Sequence, residues 1–253
     1  MQGVWDWFRW LYDQYGINFS VFYDPFDRSS VLGGLLTTLK LAGACLLGSL
    51  VVGVVMAWLQ GSRVAPVRRA AIGLVEFIRN TPPLVQLYFF YFGLSPFLSP
   101  VDPHTGLAQP ILGAYLWAVI ALSLYEGVFN AEALRAGIDA VPQTTIETCE
   151  AFAMSRWQTF TLVVLPLALR TSLPALTNNT VNLIKSTTLA YAIGVPEILS
   201  ISTQIWADRL NVLEMMIVLL AVYMLLIGAL TAGMGTIERQ LRIPGFGGQG
   251  AAR

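Results

Sequence analysis

Thr177, Asn178, Asn179, Thr180, Asn182 and Lys185 stand within nine residues of an otherwise apolar stretch. Side-chain amides donate and accept hydrogen bonds, and an ammonium adds a cation, so the group can hold a carboxylate or an amino group. On a helix Asn178 and Asn182 are one turn apart and Lys185 follows three residues on, so these three share a face. Asn179 lies about a third of a turn away. The same amides can instead bond a neighbouring helix. Glu126, in an earlier apolar run, is the other candidate buried charge. It can pair with Lys185 or Arg79, or sit near a membrane surface. Other chemistries find no residues here. The one histidine, His104, lies in a polar loop, so no Ser/His/Asp arrangement can assemble. No GxxxxGK[ST] phosphate loop and no glycine-rich dinucleotide turn is present. Cys45 and Cys149 are too few for a disulfide framework and lack metal-ligand spacing.

The polar run is exceptional because the rest of the chain is so apolar. Of 253 residues, 55% are hydrophobic and only 12% charged, and mean hydropathy is +0.63. A soluble domain carries about 25% charged residues. Net charge is zero, which leaves no electrostatic footprint for nucleic acid. Apolar runs long enough to cross a bilayer predict an all-α integral membrane protein. About five spans are expected, over 31–59, 71–93, 111–129, 160–193 and 212–234. The fourth run, with Pro166 and Pro174 inside it, can be one kinked helix or two. In the first, Lys40 is the lone charge, and the pairs Ala44/Gly48 and Ser49/Gly53 have the spacing that lets helices approach closely. Arg63, Arg68 and Arg69 follow the first span, whereas the loop with Asp102 and His104 has no Lys or Arg. The positive-inside rule therefore puts the first loop in the cytoplasm, the N-terminus outside and the tail 242–253 inside. Residues 1–30 start with Trp5, Trp7, Trp10, Tyr12 and Tyr15 among Asp6, Arg9 and Asp13. They do not resemble a cleavable signal. They read as an external segment, either interfacial or a plain polar extension.

The polar loop 130–158 is then cytoplasmic. Pro142 stops the preceding helix. Thr144 to Glu147 fits a capping box, so a short helix is expected from there to about Phe152. Ser155 to Gln158 fits a second box that opens the next helix. A short mixed-charge helix bracketed by transmembrane helices is a docking element for a cytoplasmic partner.

Here a family pattern becomes visible. Glu147 and, at the right spacing, Val163-Val164-Leu165-Pro166 resemble the E-A-A loop of ABC-importer permeases. Thr148 and Cys149 stand for its alanines and Ala153 for its glycine. Arg79-Asn80-Thr81-Pro82-Pro83-Leu84-Val85-Gln86-Leu87, Asn130-Ala131-Glu132 with Arg135-Ala136-Gly137-Ile138, Ser155-Arg156-Trp157-Gln158, and Leu183-Ile184-Lys185 with Ile193-Gly194-Val195 resemble its polar amino-acid branch, in the family's order. The resemblance covers roughly 33–241.

The resemblance implies a type I ABC importer permease fold over 31–241, with a cytoplasmic coupling helix. It implies an amino-acid importer subunit of the bacterial inner membrane that forms half of the path and is not itself an enzyme. The implied partners are a second permease, two ATPase subunits that bind ATP and Mg, an external amino-acid-binding protein, and lipid. Glu147, Glu150, Ala151, Ala153 and Arg156 are the expected ATPase contacts, with capping as a second role for Glu147. Asn178, Asn179, Asn182, Lys185 and Glu126 are the expected substrate contacts. Many members of the family carry Glu where Asn179 stands. Its absence points to a heterodimer whose other permease supplies the acid, or to a different substrate geometry. The competing reading is a secondary transporter or channel driven by an ion gradient, but no internal repeat is visible and a docking loop would have little purpose.

Overall fold

The computed structural model describes residues 2–100 and 110–241; Asp102, His104 and the tail 242–253 lie outside them. Among the described residues all regular structure is helical. The chain runs through α1 (Gln2–Tyr15), α2 (Ser20–Tyr23), α3 (Pro25–Gln60), α4 (Ala65–Arg79), α5 (Pro83–Leu98), α6 (Ala114–Asp139), α7 (Gln143–Ala151), α8 (Arg156–Ile193), α9 (Ile198–Arg209) and α10 (Val212–Leu241). Four of these, α3, α6, α8 and α10, are long and apolar enough to cross a membrane, and α5 is a shorter apolar helix.

Residues 71–93 fall on two helices, and local chemistry explains the break. α4 is amphipathic. Ala71, Val75 and Ile78 recur at helical spacing on its buried face, while Arg68, Arg69 and Glu76 stay exposed. It ends at Asn80, and the Thr81 hydroxyl donates back to the Phe77 carbonyl at 3.0 Å. Pro82, with ψ 135°, then sends the chain off in extended conformation before α5 starts at Pro83. The fourth apolar region is one continuous helix. α5 and α8 each contain a wide π turn, over Phe89–Leu94 and Phe160–Val164. Each turn ends two residues before a proline, Pro96 or Pro166. A proline ring clashes with the carbonyl four residues back, and a widened turn gives that carbonyl room.

The described residues form two compact units, and each of the four long helices contributes a part to both. The first unit takes in the described parts of 1–46, 82–122 and 183–228. Val21, Val31, Ile198, Ile205 and Met215 form its buried apolar cluster. The Asn18 N–H donates to Glu214 Oε1 at 2.9 Å, and Asn211 Nδ2 donates to the Asn18 carbonyl at 2.8 Å. Arg209 pairs with Asp24 at 2.6 Å and with buried Asp27 at 3.2 Å. These bonds fasten the start of the chain to the α9–α10 corner.

The second unit takes in 47–81, 123–182 and the described part of 229–253. Met56, Val75, Ile78, Val128 and Ala131 form its main buried cluster. Within it α3 and α6 touch closely. A Cβ on Gly48 would meet Ser123 Oγ at 2.3 Å, and one on Gly127 would meet Val52 Cβ at 2.5 Å. The small residues at 48 and 127 are therefore what permits this contact distance.

Candidate functional site

The loop between α6 and α8 is seated before it is displayed. Gly137, near the end of α6, lies against α8 so closely that a Cβ there would meet Ser172 Oγ at 2.0 Å and the Ala168 carbonyl at 2.5 Å. Across that contact the Ser172 hydroxyl donates to the Ala133 carbonyl at 2.9 Å and the Thr171 hydroxyl to the Gly137 carbonyl at 3.2 Å. Next to it Val141, Val164 and Ala168 form a small buried cluster, with Ile138, Ile146 and Leu167 packed on it. Ile146 and buried Cys149 thus give α7 an inward face. Glu147, Glu150 and Ala151 occupy its outward face and are exposed.

The ends of α7 depart from the sequence expectation at one side and follow it at the other. The helix starts at Gln143 with Pro142 as N-cap and no side-chain cap, so the Thr144–Glu147 box does not form. Pro142, at φ −59°, has already fixed the entry, two residues before Thr144 could cap it. Thr144 and Glu147 are consequently helix-interior residues, and the Thr148 hydroxyl donates to the Thr144 carbonyl at 2.7 Å. The second box is complete: Ser155 Oγ accepts from the Gln158 N–H at 3.2 Å, and Gln158 Oε1 accepts from the Ser155 N–H at 2.8 Å. Between the two helices Ala153 is held at φ 54°, in the left-handed region. It occupies the position of the motif's glycine. Arg156 opens α8 and is exposed. Sequence reasoning did not single out Phe152 and Trp157, which flank the turn at 78% and 74% exposure. Large aromatic side chains so exposed on an ordered loop were a signal for a contact surface.

The polar run lies on α8. Asn178 and Asn182 are exposed one turn apart on it, as their spacing predicts, and Lys185, three residues further along, is exposed too. Asn179 turns away from them: its Nδ2 donates to Asn130 Oδ1 at 3.0 Å, and Asn130 Nδ2 donates to Ser49 Oγ at 3.1 Å. Three helices, α8, α6 and α3, are joined by this amide chain, in which Asn130 and Ser49 are buried. Thr177 donates from its hydroxyl to Glu238 Oε1 on α10 at 2.7 Å. Glu126 is 3% exposed on α6, one turn before Asn130. Arg79 forms its ion pair with Glu132, and its guanidinium lies 5.5 Å from the centre of the Phe129 ring. Arg135 Nη1 donates to Gln60 Oε1 at 3.1 Å. These contacts bind the ends of α3, α4 and α6 together. No group of three or more metal-ligating side chains occurs among the described residues.

A second buried polar group lies in the first unit. Glu197, fully buried, caps α9 by accepting from the Leu199 and Ser200 N–H groups at 2.9 and 2.8 Å. Burial pushes its carboxyl up to about 7, against the lowering effect of those two N–H groups. Thr38 Oγ1 accepts the next free donor, the Ile198 N–H, at 3.0 Å. The Tyr223 hydroxyl faces Glu197, Thr38 and Thr187 without closing a hydrogen bond of ordinary geometry.

Four helices long and apolar enough to cross a membrane, with the short helix α7 packed between two of them, give the fold of a membrane protein. Residues 49–243 match the binding-protein-dependent transport system inner membrane components, and the chain belongs to that family. It is therefore a multi-pass inner-membrane permease subunit of ABC-importer type. A nopaline transport system permease protein of Agrobacterium fabrum is 34% identical over 77% of this chain and 80% of its own length. The glutamine transport system permease protein of Escherichia coli strain K12 is 30% identical over 84% of this chain and 93% of its own. A solved structure of an amino acid ABC transporter with histidines superposes with a TM-score of 0.75 at 27% identity, covering 84% of this chain and 94% of that one. An inward-facing methionine ABC transporter shares the fold, with a TM-score of 0.69 at 18% identity.

Proposed function

We propose that this chain carries amino acids, as the permease subunit of an ATP-driven importer whose energy comes from a separate ATPase. The carrying observation is the exposed face of α7 with its flanking aromatics, in a chain whose family match runs from 49 to 243. Glutamine and nopaline stand in the names of relatives matched over most of the chain, which supports an amino-acid cargo. Glu147, Glu150, Ala151, Ala153 and Arg156 meet the ATPase, and Phe152 and Trp157 add the apolar anchors that such a contact needs. ATP and Mg are held by that partner. Closure of an ATPase pair draws two coupling helices together, and the packed bundle converts this into alternating access.

Asn178, Asn182 and Lys185 line the path on this reading, because polar groups exposed at membrane depth must meet water, substrate or another chain. Asn179 stands behind them with its amide nitrogen committed to Asn130. Glu126 is the buried acid behind the same region of α6. The second permease is a homologue rather than a second copy, since position 179 here lacks the acid of many relatives. An external binding protein delivers the cargo. The arginines after α3 set the N-terminus outside and the C-terminus in the cytoplasm.

Reconstitution tests both parts. ATP-driven uptake is expected in vesicles holding this chain with its second permease, ATPase and binding protein. Uptake by this chain alone under an ion gradient would overturn the importer reading. Glu150→Lys combined with Ala153→Trp should abolish uptake while the ATPase alone still turns over. Unchanged uptake would refute the docking face.

A further inference from the structure

We propose that α1 is a membrane-interface anchor, lying flat in the headgroup region of the bilayer at the surface where α3 begins. Three faces of this helix have different partners. Trp5, Phe8 and Tyr12 point to one side and pack on α2 and the start of α3. Phe8 stacks on Phe22 with ring centres 4.5 Å apart, Tyr12 stacks on Tyr23 at 6.2 Å, and the Arg28 guanidinium sits 4.3 Å over the Trp5 ring. Asp6, Arg9 and Asp13 recur at helical spacing on a narrow charged face and are exposed. Trp7 and Trp10, one turn apart on a third face, are 51% and 48% exposed. Their ring contacts are intrahelical, with Phe8 and Tyr15.

The position of the helix names the occupant of that third face. Arg28 lies in the first turn of α3, so the Trp5 contact keeps α1 beside the point where the apolar span begins. The Asp24 and Asp27 pairs with Arg209 hold the same corner to α9. A helix tied there cannot leave the bilayer surface. Indole has an apolar body and one polar N–H, which suits the headgroup boundary better than either water or hydrocarbon. With Asp6, Arg9 and Asp13 turned to water, the tryptophan face meets lipid. The arc is aromatic and carries no excess of cations, so the binding is to the interfacial zone in general rather than to anionic headgroups. This inference does not rest on the importer reading or on which side of the membrane α3 starts.

Site-directed spin labels on the assembled transporter test it. Cys45 and Cys149 are first replaced by serine, and single cysteines are then placed as Trp7→Cys, Trp10→Cys, Asp6→Cys, Arg9→Cys and Asp13→Cys. In nanodiscs of phosphatidylethanolamine and phosphatidylglycerol, labels at 7 and 10 should relax strongly with oxygen and weakly with an aqueous nickel chelate. Labels at 6, 9 and 13 should show the reverse. Equal access of the chelate to both sets would mean a solvated extension and overturn the proposal. Exclusion of both reagents from 7 and 10 would mean a protein partner on that face, and would overturn it too. As an independent readout on a protein with both native cysteines, the Trp7→Phe, Trp10→Phe pair should lose part of the fluorescence quenched by lipids brominated near the headgroup. An unchanged quenched fraction would contradict the anchor.

Discussion

Asn130 satisfies two other helices at once: its carbonyl oxygen accepts from Asn179 and its amide nitrogen donates to Ser49. A hydrogen bond between membrane helices contributes about 0.6 kcal/mol on average, because the separated helices find other partners. Asn130→Ala should therefore cost about 1 kcal/mol, and Asn179→Ala about half that, in thermal unfolding of the detergent-purified complex. Asn178→Ala, on the exposed stripe, should leave the melting point alone and lower uptake. Abolished uptake in Asn179→Ala with no loss of stability would move Asn179 from helix tie to substrate contact. Glu197 makes a separate prediction. A carboxyl whose pKa is about 7 when folded and 4.5 when unfolded binds more protons in the native protein across that interval. Stability must then fall as pH rises from about 4.5 through about 7. Glu197→Gln keeps one cap acceptor and cannot ionise, so its melting temperature should be flatter between those pH values than the wild type's.

At the scale of elements, the α6–α8 contact and the turn after α7 fix how α7 is presented. Gly137→Ala would drive a methyl into Ser172 and the Ala168 carbonyl, and overpacking of that kind costs about 1–3 kcal/mol. The expected result is a lower melting temperature and weaker ATPase association. Ala153→Gly should act the other way. A left-handed backbone costs a non-glycine residue roughly 1–2 kcal/mol, part of which glycine returns as extra freedom in the unfolded chain. A gain of at most about 1 kcal/mol is expected in thermal unfolding. Ala153→Val should lose stability, since a β-branched side chain is worse in this region. Much of this region was legible in sequence. Apolar runs located α3, α6, α8 and α10, and the Ser155–Gln158 spacing located the start of α8, because both depend on local pattern alone. The Thr144 box was overruled by its neighbour Pro142. The run 71–93 hid a break because Val75, Ile78 and Leu87 keep it apolar on both sides of Asn80 and Pro82. The Asn179–Asn130–Ser49 chain joins residues 49 and 81 positions apart, so no local spacing announces it.

For the whole molecule, burial separates what lipid can satisfy from what it cannot. In its most apolar window α6 is 56% buried, whereas α10 is 6%, α8 22% and α3 28%. Hydrocarbon covers exposed Leu and Val on α3 and α10 without cost. It covers Lys185 poorly, since a charged residue at a helix centre costs about 2.5–3.5 kcal/mol on insertion scales, and the amides of Asn178 and Asn182 are costly at membrane depth as well. On the proposed reading the stripe faces an aqueous path or a second permease, and the two differ in reach. In a background lacking Cys45 and Cys149, Asn182→Cys in the assembled, nucleotide-free transporter should react with a water-soluble maleimide, and trapping the ATPase with a non-hydrolysable nucleotide should change its rate. A thiol at 182 that never labels in any state, while the same chain still transports, would place the stripe inside a dry helix contact. Labelling that responds to nucleotide would tie the α7 docking face to the polar stripe through one moving body.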